Sequence, residues 1–79
     1  MDQQVAKKML ESVVQDVLNN PLFEVPWSTN FNEIGGWDSL NNIAIIAEFE
    51  KAIGARFSSK DLIAFKTPMD IIAAANTVG

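Results

Sequence analysis

The stretch GGWDSLNNIAIIAEFEKAIG, Gly35 to Gly54, contains both ends of a helix and a serine beside its start. Leu40, Ile43, Ala44, Ala47 and Ile53 recur at helical spacing and suit a buried stripe, with Ile46 and Phe49 widening it. Asp38 is a good N-cap, able to accept from unpaired first-turn amides, and Gly54 is a good stop because glycine takes left-handed geometry without strain. The spacing therefore predicts a helix opened by Asp38 and closed by Gly54. Ser39 is left with three readings: a nucleophile, a second cap, or a handle for covalent modification.

Outward from this helix, the chain reads as helical on both sides. Between Gln3 and Asn19, Val5, Ala6, Met9, Leu10, Val13, Val14, Val17 and Leu18 alternate with polar residues at helical period. Asn19, Asn20 and Pro21 end that helix, since asparagine favours reversal and proline disfavours helical geometry in the residue before it. From Pro21 to Trp37 runs PLFEVPWSTNFNEIGGW, which has no period and is too long for an ordinary connection. Its Leu22, Phe23, Val25, Trp27, Phe31 and Ile34 make it too apolar for a free linker, so it is expected to lie across the domain with these side chains on the core. Ser58 and Ser59 can cap a short helix over KDLIAF. Thr67, Pro68 and Asp70 supply a cap, a first-turn proline and an acidic third position for a final helix. No segment alternates like a strand. The expected fold is all-α: a small four-helix bundle, three main helices and one short one, with a long loop between the first two.

Composition narrows the chemistry. A chain of 79 residues builds one core, so residues 1–79 read as a single domain. With 48% hydrophobic and 20% charged residues, it reads as globular rather than disordered. Cysteine and histidine are absent. That removes disulfides, the usual zinc ligands, the thiol nucleophile and the commonest general base, leaving no metal-ligand set. The net charge of -4, with six scattered Lys and Arg, disfavours nucleic acid. The opening MDQQVAKKMLESVV lacks a signal-peptide pattern and no run is long enough to span a bilayer, so a cytoplasmic monomer without membrane insertion is expected. The initial Met and short tail suggest a free-standing protein.

These absences bear directly on Ser39. The string G-W-D-S-L resembles an esterase signature, but a serine nucleophile needs a base and an oriented partner for it. The chain has no histidine, no strand before the serine and no lysine near it. No catalytic residue is assigned. Capping alone accounts for an Asp-Ser pair, yet not for a long apolar loop and two glycines leading to a serine whose hydroxyl should face solvent.

The chain resembles an acyl carrier protein, of the kind that bears a phosphopantetheine arm. F-x-x-I-G-G-W-D-S-L, Phe31 to Leu40, carries the resemblance together with the first helix, the long loop, the F-S-S-K-D-L segment and the T-P-M-D-I-I start of the last helix. The likeness implies that Ser39 is the attachment residue for 4'-phosphopantetheine, delivered from coenzyme A by a magnesium-dependent phosphopantetheinyl transferase. The protein would then be a non-catalytic carrier of acyl groups as thioesters. It implies that Asp38 caps the helix and helps the transferase recognise the site, and that Leu40 anchors the helix start. Acyl-loading enzymes, ketosynthases and acyltransferases are the implied partners. An unmodified helical interaction module is the competing class.

The chain departs from that family's usual pattern after the serine. Carriers of fatty acid synthesis present carboxylates there, whereas the corresponding surface here reads Asn41, Ala44, Glu48 and Lys51, with a neutral patch for partner docking around Asn41, Ala44 and Ile45. Trp37, beside the arm, either packs against its own domain, the more ordinary role of a loop tryptophan, or meets a partner. Residues 21–38 hold Glu24, Glu33 and Asp38 without a basic residue, while residues 39–56 balance Glu48 and Glu50 against Lys51 and Arg56. Electrostatic steering chiefly sets encounter rate and partner choice. The neutral patch therefore points to a specialised pathway, such as polyketide, other secondary-metabolite or modified-glycan assembly. A housekeeping fatty acid carrier and an aminoacyl or peptidyl carrier are the alternatives.

Overall fold

The computed structural model describes residues 2–78 and shows four α-helices with no strand among them. They are α1 (Gln3–Val17), α2 (Ser39–Ile53), α3 (Ser59–Ala64) and α4 (Pro68–Val78), with one 3-10 turn at Phe31–Glu33 inside the long loop. Helix α1 packs against both α2 and α4. Leu10, Val14, Ile45, Phe49, Ile71 and Ile72 are fully buried and form the centre of a single apolar cluster. No helix among the described residues is long and apolar enough to cross a membrane.

Local chemistry sets most helix ends. Asn19 takes left-handed geometry (φ 53°) after α1, and the Asn20 amide donates back to the Gln15 carbonyl at 2.9 Å, closing the last turn. Gly54 ends α2 at φ 70°. Ser58 and Asp61 form a reciprocal capping box on α3, with the Asp61 amide donating to Ser58 Oγ at 3.1 Å and the Ser58 amide to Asp61 Oδ2 at 3.2 Å. At α4 only the acidic half of such a box forms. Asp70 Oδ2 accepts from the amides of Lys66 (2.8 Å) and Thr67 (3.0 Å), while the Asp70 amide goes to the Thr67 carbonyl at 3.0 Å rather than to its hydroxyl.

The long loop is tied down at both flanks. Gln15 Nε2 of α1 donates to the Phe23 carbonyl at 3.0 Å, the Phe31 amide to the Lys66 carbonyl at 3.0 Å, and the Met69 amide to the Trp27 carbonyl at 3.0 Å. Val25, Ile34 and Trp37 are buried, and Phe23, Trp27 and Phe31 pack half-buried against the core. Leu22 departs from the expectation: it is 86% exposed. The Phe23 amide closes a turn onto the Asn20 carbonyl at 3.1 Å, which leaves Pro21 and Leu22 at its corner, facing out.

The rotation of α2 also differs from the expected stripe. Ile45, Ile46 and Phe49 are buried and Ile53 packs beside them, whereas Leu40, Ile43 and Ala47 are exposed. Leu40 therefore does not anchor the helix start. Helix α2 is apolar around most of its circumference, so periodicity alone cannot select the inward face. Contacts at its two ends select it. Trp37 and Asn42 join at the start (below), and at the far end Glu50 Oε2 accepts from the Phe57 amide at 2.7 Å while the Phe49 and Phe57 rings stack at 6.3 Å.

Candidate functional site

The start of α2 is built by successive backbone turns. The Glu33 amide reaches the Asn30 carbonyl (2.9 Å), Ile34 reaches Phe31 (3.2 Å) and Trp37 reaches Ile34 (3.1 Å), so the chain coils tightly into the helix. Gly36 makes the last reversal at φ 84°, a conformation that side-chain-bearing residues rarely adopt. Gly35 has no positive φ and needs no such freedom.

Asp38 is extended and caps α2, its Oδ1 accepting from the Asn41 amide at 2.8 Å. The Asn41 side chain in turn donates to the Gly36 carbonyl at 2.8 Å, locking loop to helix. Ser39 is the first helical residue, exposed, and its hydroxyl makes no hydrogen bond to any described residue. The cap is therefore made by Asp38 alone. Nothing beside Ser39 is arranged to take its proton, since the nearest acidic group is committed to the helix and no lysine lines the site.

An open recess of about 480 Å³ lies against the serine, lined by Phe31, Asn32, Ile34, Trp37, Ser39 and Asn42 among others. Its wall is rigidly composed. Trp37 stacks on Phe31 with ring centroids 5.0 Å apart and donates from Nε1 to Asn42 Oδ1 at 2.8 Å.

The residues named for partner contact divide. Trp37 is 3% exposed and Ile45 is fully buried, so neither offers a surface for docking; the ring is used inside the domain and Ile45 belongs to the core. Asn41, Ala44 and Glu48 do share a surface, where they meet Leu40 and, from α1, Val13, Asp16 and Val17 around an open groove of about 580 Å³. Sequence reasoning missed the exposed apolar residues Ile43 and Ile63. The available signal was the surplus of apolar positions in α2, more than one buried stripe accommodates. Glu48 pairs with Lys51 at 3.5 Å, both exposed, so this part of α2 is locally neutral.

A family model described as a phosphopantetheine attachment site matches residues 9–75, most of the chain. No curated protein and no solved structure gives a significant match.

Proposed function

Because the chain belongs to the phosphopantetheine attachment-site family, we propose that it is an acyl carrier whose 4'-phosphopantetheine arm is borne by Ser39. The observation that carries this reading is the exposed, unpartnered hydroxyl of Ser39 beside an aspartate that already caps the helix. The residues fit the group. A phosphodiester on Ser39 would stand in the first turn of a 15-residue helix, where unpaired amides and the helix dipole favour negative charge by about 0.3–1 kcal/mol when exposed.

Ser39 Oγ forms the new bond to the pantetheine-side phosphorus of the coenzyme A pyrophosphate as that atom's bond to the departing adenosine bisphosphate breaks, and the Ser39 proton passes to a base of the transferase. Asp38 holds the helix start in register and presents the charge the transferase recognises. Leu40, 79% exposed, offers it an apolar contact. When attached, the arm supplies the thiol that this cysteine-free chain lacks. Residues 1–79 act as one non-catalytic carrier unit, a cytoplasmic monomer that presents acyl thioesters to partner enzymes.

Loading is tested by intact-protein mass after incubation with a promiscuous phosphopantetheinyl transferase and coenzyme A. A single-arm increment in the wild type, absent in Ser39→Ala, is expected. No increment under conditions that modify a control carrier would instead favour an unmodified interaction module.

The partners belong to a specialised pathway rather than housekeeping fatty acid synthesis. In support, Leu40, Ile43 and Ala47 leave the exposed part of α2 apolar, and the Glu48–Lys51 pair neutralises its charge. Docking there relies on shape and apolar contact more than on steering. Turnover by a housekeeping ketosynthase system at the rate of the cell's main carrier would overturn this assignment.

A further inference from the structure

Helix α3 is the thinnest cover on the core: none of its own residues is buried, while α1 packs closely on α2 and α4. An apolar chain seeking the interior meets least resistance on that side, since α3 can lift without uncovering a buried residue of its own. Aromatic rings occupy the place. Phe57, 7% exposed, stands between Phe49 of α2 and Phe65 at the end of α3, with ring centroids 6.3 and 5.2 Å away. We propose that Phe57 is a plug that decides what this carrier bears. With its ring in place no acyl chain enters the core, and the cargo is an acyl group short or polar enough to be carried in water. This rests on the reading of Ser39 as the attachment residue.

The packing carries the first step. Phe49 is fully buried and Phe65 half-buried, so the three rings form a continuous series from the centre of the domain to its surface. The first pair is stacked, with 26° between planes, and the second meets edge to face at 89°, both favoured aromatic geometries. A close-packed interior accepts extra methylenes only by displacing side chains already there.

Phe57 is also held by its backbone. Its amide donates to Glu50 Oε2 at 2.7 Å, Gly54 turns the chain at the end of α2, and the Ser58–Asp61 capping box begins at the very next residue. Swinging the ring aside therefore disturbs fixed structure on both sides of it.

The consequence for cargo follows from solvation. Each methylene kept in water is disfavoured about fourfold relative to burial, so the penalty multiplies along a saturated chain. Leu40 and Ile43, exposed beside Ser39, offer such a chain only one-sided contact. A two-carbon group, or one bearing hydroxyl, keto or amino groups, avoids the penalty.

The test loads full-length protein with acetyl- or octanoyl-pantetheine from the corresponding coenzyme A thioesters, with loading verified by intact mass. In the wild type the two forms are expected to melt together, and the methyl signals of Ile45, Ile71 and Ile72 to stay in place. Phe57→Ala opens the space of one ring, and its octanoyl form should melt above its acetyl form by at least about 4–8 °C, the gain from burying one or two methylenes in a domain of this size. Phe57→Leu, which keeps part of the apolar volume, should show a smaller shift of the same sign and decides the outcome if the alanine variant does not fold. A higher Tm for the octanoyl wild type, with shifts in those core methyls, would overturn the plug while leaving the carrier reading intact. Octanoyl and acetyl forms of the Phe57 variants that melt together would do the same. Absence of any mass increment would overturn both.

Discussion

Trp37 Nε1 donates to Asn42 Oδ1 at 2.8 Å, joining the last loop residue before the cap to the first turn of α2. The bond does two things at once. It satisfies a buried indole donor, and it sets the angle at which α2 leaves the loop, so that Ile45, Ile46 and Phe49 turn inward. The orientation of Ser39 follows from the same constraint, because Asp38 and Ser39 lie between the two partners.

Trp37→Phe is expected to keep the stack on Phe31 while losing this hydrogen bond, at a cost of about 0.5–1.5 kcal/mol. For a domain of this size each kcal/mol lowers Tm by about 4–8 °C. A double-mutant cycle with Asn42→Ala, read by urea unfolding, should show positive coupling between the two positions. Additive losses would mean that the bond carries no net energy.

Asp38 is assigned both a structural and a recognition role, and two substitutions separate them. Asp38→Ala removes the acceptor of the Asn41 amide and should cost about 0.5–2 kcal/mol. Asp38→Asn keeps a capping oxygen and should leave stability nearly unchanged, yet lose the charge offered to the transferase. Loading rates for the Asn variant well below wild type, at equal Tm, are expected. Equal loading rates would confine Asp38 to capping.

What could be read from the sequence was what neighbours in the chain determine. Gly54, the Asn19 reversal and the Ser58 cap each depend on a few adjacent residues, and each forms as expected. Ser39 could be singled out as the proposed attachment residue because the missing histidine and cysteine closed the other chemistries and the family likeness pointed to it. The inward face of α2 was not, because residues 43–47 are all apolar and period alone gives no preferred side. The recess was equally hidden. It depends on the 3-10 turn at Phe31–Glu33, and that turn is fastened to the distant Lys66 carbonyl through the Phe31 amide. Ile45 was misassigned to the surface for the same reason, whereas Trp37 packs within the domain as the favoured of its two readings had it: burial is decided by contacts that adjacent residues do not encode.

The two glycines before the serine should respond differently. At Gly36 the space around an added Cβ is ordinary, with Leu18 Cδ1 at 3.8 Å, but φ is +84°. Gly36→Ala should therefore cost about 1–2 kcal/mol from backbone strain alone. A Cβ at Gly35 would meet nothing within 4 Å and its φ is not positive, so Gly35→Ala should change stability by no more than about 0.5 kcal/mol. Thermal melts of the two variants compare them directly, and equal losses would contradict the assignment of the turn to Gly36.

Ile43 and Ile45 lie two residues apart on α2 and test its rotation against its function. Ile45 is fully buried in the central cluster, so Ile45→Ala should cost about 2–5 kcal/mol through lost burial and the cavity left behind. Ile43 is 67% exposed, and Ile43→Ala should shift stability by no more than about 0.5 kcal/mol. If the apolar part of α2 meets partner enzymes, the stable Ile43 variant should still be loaded by the transferase at full extent, yet deliver its acyl group more slowly, with the loss appearing as weaker association. Unchanged delivery by the Ile43 variant would move the docking surface elsewhere. The nearest candidate is then the groove between α1 and α2, lined by Val13, Asp16, Val17, Leu40 and Ala44 among others, which would favour a partner presenting an apolar side chain.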